Sequence, residues 1–165
     1  MTKKSSYNKT LNQGFSGELS VIEKLKTLNI DAVITDIPQN VEFDLDCIFN
    51  NIRFTIEVKH DIFSRISGNF AIEFYNSKSC KNSGITATKA NFWCHIVKDE
   101  IFIIKTSDLK KFIVKNEPKK ILYDVGDDNA CIYLYGNEFL ETEFLNLSKS
   151  TKEESIGYII KCLKE

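Results

Sequence analysis

The clearest pattern along the chain is a strict alternation of apolar and polar residues at positions 52–59. Apolar side chains stand at the even positions from Ile52 to Val58, and polar side chains stand at the odd positions between them. Because successive side chains of a β-strand point to opposite faces, this period of two predicts a strand with one apolar face. Glu57 and Lys59 then share the polar face.

A second alternating segment precedes this strand at residues 43–47, where Asp44 and Asp46 share the polar face. Asn50-Asn51 lies between the two segments, and asparagine tolerates the positive φ angles of a two-residue hairpin turn. The sequence therefore predicts a hairpin over about residues 42–60. This hairpin brings one of the two aspartates beside the glutamate and the lysine of the second strand.

Further periodic segments predict helices and strands around this hairpin. Apolar residues at helical spacing predict a helix over about residues 16–29 with Ser16 as its N-cap, and the polar residues 1–13 predict a mobile basic arm. Later expected elements are a strand at 69–75, a short helix from Ser83 to Ala90, strands at 92–97 and 101–105, a helix at 107–114, a strand at 130–135 and a C-terminal helix opened by a capping box from Ser150 to Glu153.

Length and composition narrow the class of protein. A chain of 165 residues with 42% hydrophobic residues predicts one α/β domain, residues 1–165, in which residues 106–165 elaborate the edge of the sheet. The net charge of −1 argues against a protein that coats DNA, but not against an enzyme with a local basic track. The five scattered cysteines form no C-x-x-C pair, which predicts a reduced, cytoplasmic compartment and no zinc site. No apolar run is long enough to predict a membrane span.

The hairpin carries the candidate chemistry. Adjacent carboxylates repel each other unless a cation neutralises them, and a small set of oxygen ligands suits Mg²⁺, with Mn²⁺ as a further possibility. Lys59 could then orient or deprotonate an attacking water, or stabilise the transition state. This pattern predicts metal-assisted hydrolysis of a phosphodiester. The alternative is that the charged face of the hairpin serves only solubility.

A second candidate site lies at the start of the predicted short helix. Gly84 permits a close backbone approach, and exposed N–H groups at the start of a helix bind anions. Ser83, Thr86 and Lys89 would together hold a DNA phosphate near the scissile one. The alternative is an ordinary serine cap followed by a solvated lysine.

These residues resemble the PD-(D/E)XK nuclease superfamily. Its signature is an acidic residue on one strand and E-x-K on the next, here Asp44 and Glu57-Val58-Lys59, with Phe43 in place of the proline. The segments Gly68–Glu73 and Ser83–Trp93 resemble small phage-type endonucleases and Holliday-junction resolvases. The resemblance spans about residues 14–105. It implies a restriction-endonuclease-like core with a mixed central sheet flanked by helices, in the order helix, three strands, helix, strand.

The resemblance also implies an activity and roles for individual residues. The protein would be a Mg²⁺-dependent endodeoxyribonuclease in which Asp44 and Glu57 bind the metal, the Val58 carbonyl is a further ligand, and Lys59 acts on the water. Many members place an acidic residue in the first helix, so Glu18 would complete the catalytic site. Alternatively, Glu18 only favours the positive N-terminus of that helix.

Two more acidic residues are candidates for supporting roles behind these ligands. Asp46 competes with Asp44 for the metal, although Asp44 fits the superfamily spacing better. Glu73 of the strand at 69–75 would share the active face, either as a partner of Lys59 or as a ligand of a metal-bound water. A plain cross-strand ion pair with a lysine is an equally natural role for Glu73.

The partner implied by the resemblance is DNA, with no membrane. Small members of the superfamily include Holliday-junction resolvases, nickases and restriction-type enzymes, and symmetric cutting of two strands would require a homodimer. A phage-encoded protein would work in the cytoplasm of its host. One rival function is a non-catalytic nucleic-acid-binding or adaptor protein that keeps the nuclease fold, and another is an interaction protein whose hairpin charges only aid solvation.

Overall fold

The computed structural model describes residues 3–35, 42–126 and 129–165, with the side chains of this part of the chain described from Phe15 onward. In chain order, the elements are α1 (Lys3–Thr27), β1 (Asp31–Ile34), β2 (Leu45–Phe49), β3 (Ile52–Asp61), α2 (Ser64–Ser67), β4 (Asn69–Asn76), β5 (Lys81–Asn82), a 3-10 turn (Gly84–Thr86), β6 (Phe92–Val97), β7 (Glu100–Lys105), α3 (Thr106–Lys115), β8 (Lys120–Val125), β9 (Ala130–Gly136), α4 (Glu138–Glu143), β10 (Leu145–Asn146) and α5 (Lys152–Lys164).

The strands form two sheets. The central sheet has the order β1-β2-β3-β6-β7-β10, and the second sheet has the order β5-β4-β9-β8. In the central sheet β3 and β6 are parallel and the other neighbours are antiparallel, so the sheet is mixed. All pairs of the second sheet are antiparallel. The predicted class, an α/β domain with a mixed central sheet and flanking helices, is confirmed.

Two hydrophobic clusters cover the two faces of the central sheet. On one face the cluster joins the sheet to α1 and α5, with Leu25, Ile56, Val58 and Ile159 among its members. On the other face it joins the sheet to the second sheet, α3 and α4, with members that include Phe70, Trp93, Phe112 and Leu140. All six residues of β6 are buried, because this strand carries core on both faces. The polar face of β3 is therefore turned toward the second sheet.

The predicted hairpin is present with its predicted turn. Asn50 and Asn51 have φ angles of 48° and 62°, the left-handed values that a two-residue turn requires. In the pairing of β2 with β3, Leu45 stands opposite Ile56. Because β2 begins at Leu45, the part of β3 that follows Ile56 continues beyond the end of β2. Asp44 lies at this end, and its N–H donates to the Ile56 carbonyl at 3.0 Å.

The elements around the central sheet differ from the predicted order in two ways, one in a strand and one in a helix. The segment at 69–75 does form a strand, but β4 belongs to the second sheet because its apolar residues pack into the second cluster. The third strand of the central meander is instead β1, a segment of four residues too short to show a period.

The predicted helix at 83–90 is the second difference. A 3-10 turn of three residues, Gly84–Thr86, takes its place. Gly84 has a φ of +50°, and a Cβ at this position would lie 2.3 Å from the carbonyl oxygen of Glu73. The chain therefore crosses β4 too closely, in a left-handed conformation, for a helix to begin here.

The C-terminal part contributes more than an elaborated edge. Within residues 106–165, β10 pairs with β7 at the edge of the central sheet, whereas β8 and β9 build the second sheet with β4. The capping box of α5 joins Thr151 to Glu154, one residue later than Ser150 and Glu153, because Thr151 has the extended backbone of an N-cap.

The first helix is longer than predicted. It begins at Lys3 rather than at Ser16, so the segment predicted as a mobile arm is helical from Lys3 onward. Residues 3–13 contain no glycine or proline that would end a helix. Ser16 does not cap the helix; its carbonyl accepts a hydrogen bond from the Ser20 hydroxyl at 2.9 Å. Of the described helices, none has the length and hydropathy to cross a membrane.

Candidate functional site

A cleft opens between the central sheet and the second sheet beside the end of β2. Its volume is about 490 Å³, and four parts of the chain line it: the residue before β2, the polar face of β3, the second half of β4 and the segment from Ser79 to Ala87. The residues that line it are Asp44, Glu57, Lys59, Glu73, Asn76, Ser79, Lys81, Asn82, Ser83, Gly84 and Ala87. Asp44, Glu57 and Lys59, the three residues of the predicted signature, therefore meet in one cleft.

Asp44 is held at the junction of β2 and β3. Its carboxylate Oδ2 accepts a hydrogen bond from the backbone N–H of Val58 at 2.7 Å. The N–H and C=O of one residue point to the same side of an extended strand, so the Val58 carbonyl faces this junction as well. The register thus brings a carboxylate and a backbone carbonyl to one point.

Glu57 lies deep in the cleft, with 7% of its surface exposed. Its Oε1 lies 2.8 Å from Lys59 Nζ, and its Oε2 lies 3.1 Å from the Thr88 hydroxyl. Burial raises the pKa of Glu57, the ammonium of Lys59 opposes that rise, and the charge of Asp44 adds to it. The net pKa is above the usual value for glutamate because burial outweighs the pairing.

Lys59 is the ammonium group paired with Glu57 in this cleft. Burial lowers its pKa, but the negative charges of Glu57, Asp44 and Glu73 together outweigh burial, and the net pKa is raised. Its Nζ also lies 5.8 Å from the centre of the Trp93 ring. Lys59 therefore carries a proton at neutral pH. A protonated lysine can orient a water or stabilise negative charge, whereas action as a base would first require loss of this proton.

Glu18 of α1 reaches the electrostatic field of the site from the other face of the sheet. Burial raises its pKa first, and the charge of Asp44 raises it further. Gly17 makes this approach possible, because a Cβ there would lie 3.0 Å from the Cβ of His60 on β3. Since α1 begins at Lys3, Glu18 lies well inside the helix, and an interaction with the helix N-terminus no longer accounts for it.

The two supporting candidates lie in different surroundings. Glu73 lines the cleft from β4, and its charge contributes to the raised pKa of Lys59 across the gap between the sheets. Asp46 does not line the cleft; its Oδ1 accepts a hydrogen bond from Arg53 Nε at 2.8 Å on the surface of the hairpin. The structure thus groups Glu73 with the site and separates Asp46 from it.

The three predicted phosphate ligands are not brought together, because the helix that would have aligned them is absent. Ser83 lines the cleft, and its Oγ is buried with no hydrogen-bond partner in the described part of the chain. The Thr86 hydroxyl is engaged by backbone carbonyls, including that of Ser83 at 2.8 Å. Lys89 forms an ion pair with Glu42.

Thr88 is the contact to the site that sequence reasoning missed. Its Oγ1 lies 3.1 Å from Glu57 Oε2 and 3.0 Å from the Glu42 carbonyl oxygen, and its single proton serves one of them at a time. The Thr88 side chain is buried. No periodicity marks this residue, because residues 87–91 follow the 3-10 turn without regular structure.

The donors at the junction define which metal could fit. Among the described residues, no group of three or more His, Cys, Asp or Glu side chains is placed to hold a metal ion. The available donors are the carboxylates of Asp44 and Glu57 and the Val58 carbonyl, all oxygen atoms. This set is too small to enclose Ca²⁺ or Zn²⁺, but it suits Mg²⁺, which keeps several waters and takes further ligands from a substrate phosphate.

No protein-family model and no curated protein matches this chain significantly. Among solved structures, the chain is similar to a bacterial homing endonuclease, I-Ssp6803I, with a TM-score of 0.45 and 12% sequence identity. The match covers 58% of this chain and spans 64% of the length of that chain. A likeness this distant says nothing about activity, which has to be inferred from the residues of this chain.

Proposed function

We propose that this protein is a metal-dependent endodeoxyribonuclease of the PD-(D/E)XK type, which hydrolyses phosphodiester bonds of DNA. The observation that carries the proposal is the junction of β2 and β3. There Asp44 accepts the Val58 N–H, while Glu57 and the protonated Lys59 enter the same cleft. Two carboxylates, a backbone carbonyl and an ammonium group converge on one point, as metal-assisted attack on a phosphate requires.

Asp44, Glu57 and the Val58 carbonyl would hold Mg²⁺ or Mn²⁺, with Glu18 beside them. A divalent ion bound there would supply charge stabilisation for the phosphate and a water of lowered pKa. Burial is the main cause that raises the pKa values of Glu18 and Glu57; the charge of Asp44 adds to the rise in both, and Lys59 opposes it. A cation would relieve the repulsion from Asp44, and that supports the assignment.

Lys59 would act as a fixed positive charge. Its raised pKa keeps it protonated, and its bond to Glu57 Oε1 at 2.8 Å fixes the position of the ammonium group. From this position it would orient the attacking water or stabilise the negative charge that develops on the phosphate. Glu73 would hold Lys59 from the opposite sheet.

The phosphate contacts would come from the segment after β4. The buried Ser83 hydroxyl would donate to a phosphate oxygen, and Lys81 in the same wall of the cleft would neutralise a neighbouring phosphate. Lys89 would contribute only if its ion pair with Glu42 opened, and Thr86 would act indirectly, by holding the backbone of Ser83.

A second candidate function is a nucleic-acid-binding or adaptor protein without catalysis. Two observations favour it: the described residues contain no larger cluster of metal-binding side chains, and Lys59 already neutralises Glu57. In that case a divalent ion would have little effect on the protein. Metal binding therefore separates the two functions.

The decisive experiment measures cleavage of supercoiled plasmid and of a labelled four-way junction with Mg²⁺, with Mn²⁺ and with chelator. The wild type is compared with Glu57→Gln and Lys59→Ala, and Arg53→Ala serves as a matched control. Arg53 is also a basic residue of β3 in an ion pair, but it lies outside the cleft. We expect metal-dependent cutting, a loss of at least about a hundredfold in both site variants, and no comparable loss in Arg53→Ala.

Binding of DNA with unchanged affinity in all three variants, and no cutting under any condition, would favour the adaptor protein instead. The substrate that is cut faster would define the preferred DNA structure. Simultaneous cutting of both strands would require two sites, and we expect light scattering to detect a homodimer in that case.

A further inference from the structure

The turn that follows the catalytic strand exposes apolar side chains to solvent. Phe63 and Ile66 are 72% and 86% exposed, and Ile62 is 39% exposed. Phe63 is the N-cap of α2 and Ile66 lies inside it. With a spacing of three residues on a helical turn, these two side chains are neighbours on one surface. Neighbouring exposed apolar side chains of this kind mark an interaction site more often than single ones do.

This turn is held firmly by hydrogen bonds. The Asp61 carboxylate Oδ1 accepts the N–H groups of Phe63 and Ser64 at 3.1 and 2.9 Å, and its Oδ2 accepts the N–H of Ala71 at 2.9 Å. The Ser64 hydroxyl is bound to Asn137 Oδ1 at 2.7 Å. The turn is therefore fixed to β3, β4 and α4 while its apolar side chains point outward.

The position of the turn connects it to the candidate active site. The two strands that it joins, β3 and β4, both line the cleft, and Asp61 immediately follows the strand segment that carries Lys59. Phe63 comes four positions after Lys59, so their Cα atoms are at most about 14 Å apart. This distance corresponds to about four base steps along a DNA duplex.

β3 continues beyond its partner β2 on the side where the cleft opens. β2 pairs with β3 only up to Ile56, and no described strand pairs with this edge of β3 farther along. The corresponding edge of β4 is covered by the Asp61 carboxylate at Ala71 and by the turn at Gly84. A duplex that follows β3 out of the cleft would reach the turn at the end of this strand.

The charge of the turn matches the same partner. Arg65 is the only charged residue in the segment from Ile62 to Gly68, and the Asp61 side chain, which is turned inward, is only 10% exposed. The exposed surface is therefore apolar and positive. A duplex offers phosphates outside and apolar base faces inside, so an arginine and two apolar side chains fit it together.

We propose that Phe63 and Ile66 insert as an apolar wedge between neighbouring base pairs, within a few steps of the scissile bond, while Arg65 contacts the adjacent phosphate. This inference rests on the proposed function, because it takes DNA as the substrate. Insertion would kink the duplex, and the distortion would favour sites that are already flexible or imperfectly stacked, such as junctions.

The test uses duplexes and four-way junctions that carry 2-aminopurine, whose fluorescence rises when the base is unstacked, at successive positions beside the cutting site. Binding is measured with Ca²⁺ in place of Mg²⁺, so that the DNA stays intact. The variants are Phe63→Ala, Ile66→Ala and Phe63→Trp, with Tyr123→Ala as the control. Tyr123 is an aromatic residue of similar exposure, 66%, on β8.

We expect the wild type to raise the fluorescence at one step. Phe63→Ala should lose this signal and bind roughly 5- to 100-fold more weakly, the range for loss of base–aromatic stacking, and Ile66→Ala should reduce both the signal and the affinity. Phe63→Trp should retain both the fluorescence signal and the affinity, and Tyr123→Ala should change neither of them. Arg65→Gln should reduce the salt dependence of binding by about one phosphate contact.

The outcomes separate this inference from the proposed function. Normal cleavage without a fluorescence change, with equal affinity for the alanine variants, would refute the wedge and leave the nuclease intact. A wild type that does not bind DNA at all would refute both. Loss of binding to anionic lipid vesicles in Phe63→Ala, with DNA binding unchanged, would show that the turn contacts a membrane surface instead.

Discussion

Two pairs of opposite charges lie on the polar face of the same hairpin, and they have different environments. Glu57 and Lys59 are neighbours along β3, in a cleft where Glu57 is 7% exposed. Asp46 and Arg53 are diagonal neighbours on the two strands, since Asp46 stands opposite Thr55, and the Arg53 side chain is 69% exposed. From the alternation of residues alone the two pairs are equivalent.

The difference lies in what surrounds each pair. The carboxylates of Asp44, Glu73 and Glu18 contribute to the electrostatic field around Lys59 and Glu57, and the Thr88 hydroxyl contacts Glu57. The Asp46–Arg53 pair is open to water, and exposed ion pairs of this kind contribute little to stability or function. Buried, closely spaced charges reduce the stability of a fold and cluster at functional sites. They therefore mark a candidate site better than the presence of an ion pair does.

The largest difference between the two regions should appear when each loses its aspartate. Asp44→Asn removes a carboxylate that we propose as a metal ligand, whereas Asp46→Asn removes only the surface partner of Arg53. We expect the metal-dependent cleavage rate to fall by at least about a hundredfold in Asp44→Asn and to stay near the wild-type rate in Asp46→Asn. A plasmid-nicking assay with both variants measures this, and an equal loss in the two would return Asp46 to the active site.

Sequence reasoning went as far as the faces of the strands. The alternation, together with the two asparagines of the turn, predicted the hairpin and the face shared by Glu57 and Lys59, and the structure has both. The alternation alone did not separate Asp44 from Asp46, because that choice depends on where β2 begins; Asp44 was chosen on the spacing of the superfamily signature. Since the ladder starts at Leu45, Asp44 stands at its end and meets the Val58 N–H, while Asp46 lies within it.

The failures have a common physical cause, which is contact between segments far apart in the chain. The close approach of Gly84 to Glu73 prevents the expected helix at 83–90, and the phosphate ligands predicted on that helix are dispersed. β4 joins the second sheet because β9, which comes sixty residues or so later, pairs with it. Local patterns carry no information on such partners, and Thr88 was missed for the same reason.

A smaller effect should follow from removal of the Thr88 hydroxyl. This donor lowers the pKa of Glu57, so Thr88→Val should raise that pKa further and move the acid limb of the pH–rate profile to higher pH. If Glu57 binds the metal as proposed, we expect a rate loss of about tenfold at neutral pH, typical for a residue that contacts a metal ligand. The control is Thr106→Val, another buried threonine, whose hydroxyl has no partner in the described part of the chain.

Measurement of cleavage from acid to neutral pH distinguishes a positioning role for Thr88 from a merely structural one. A structural role would lower the rate by the same factor at every pH. A rate loss without any shift of the acid limb would therefore contradict the assignment of Thr88 to Glu57.

The smallest effect concerns stability, and it tests the crowding of charge directly. Burial and the charge of Asp44 raise the pKa of Glu18 above its ordinary value of 4.5, so folding disfavours its charged form. A group of this kind adds stability below the unfolded-state pKa and loses it as the pH rises through the folded-state pKa. Glu18→Gln should thus be slightly more stable than the wild type at pH 7, and this gain should vanish below about pH 4.

Thermal denaturation across this pH range, without divalent metal, measures the effect, and Glu23→Gln on the exposed side of the same helix is the matched control. Addition of Mg²⁺ sharpens the comparison, since a ligand that binds only the folded state stabilises it. If Glu18 belongs to the metal site, its carboxylate becomes favourable once the ion is bound, and the gain of Glu18→Gln should shrink or reverse. The same gain with and without Mg²⁺ would instead show that Glu18 lies near the site without contributing to it.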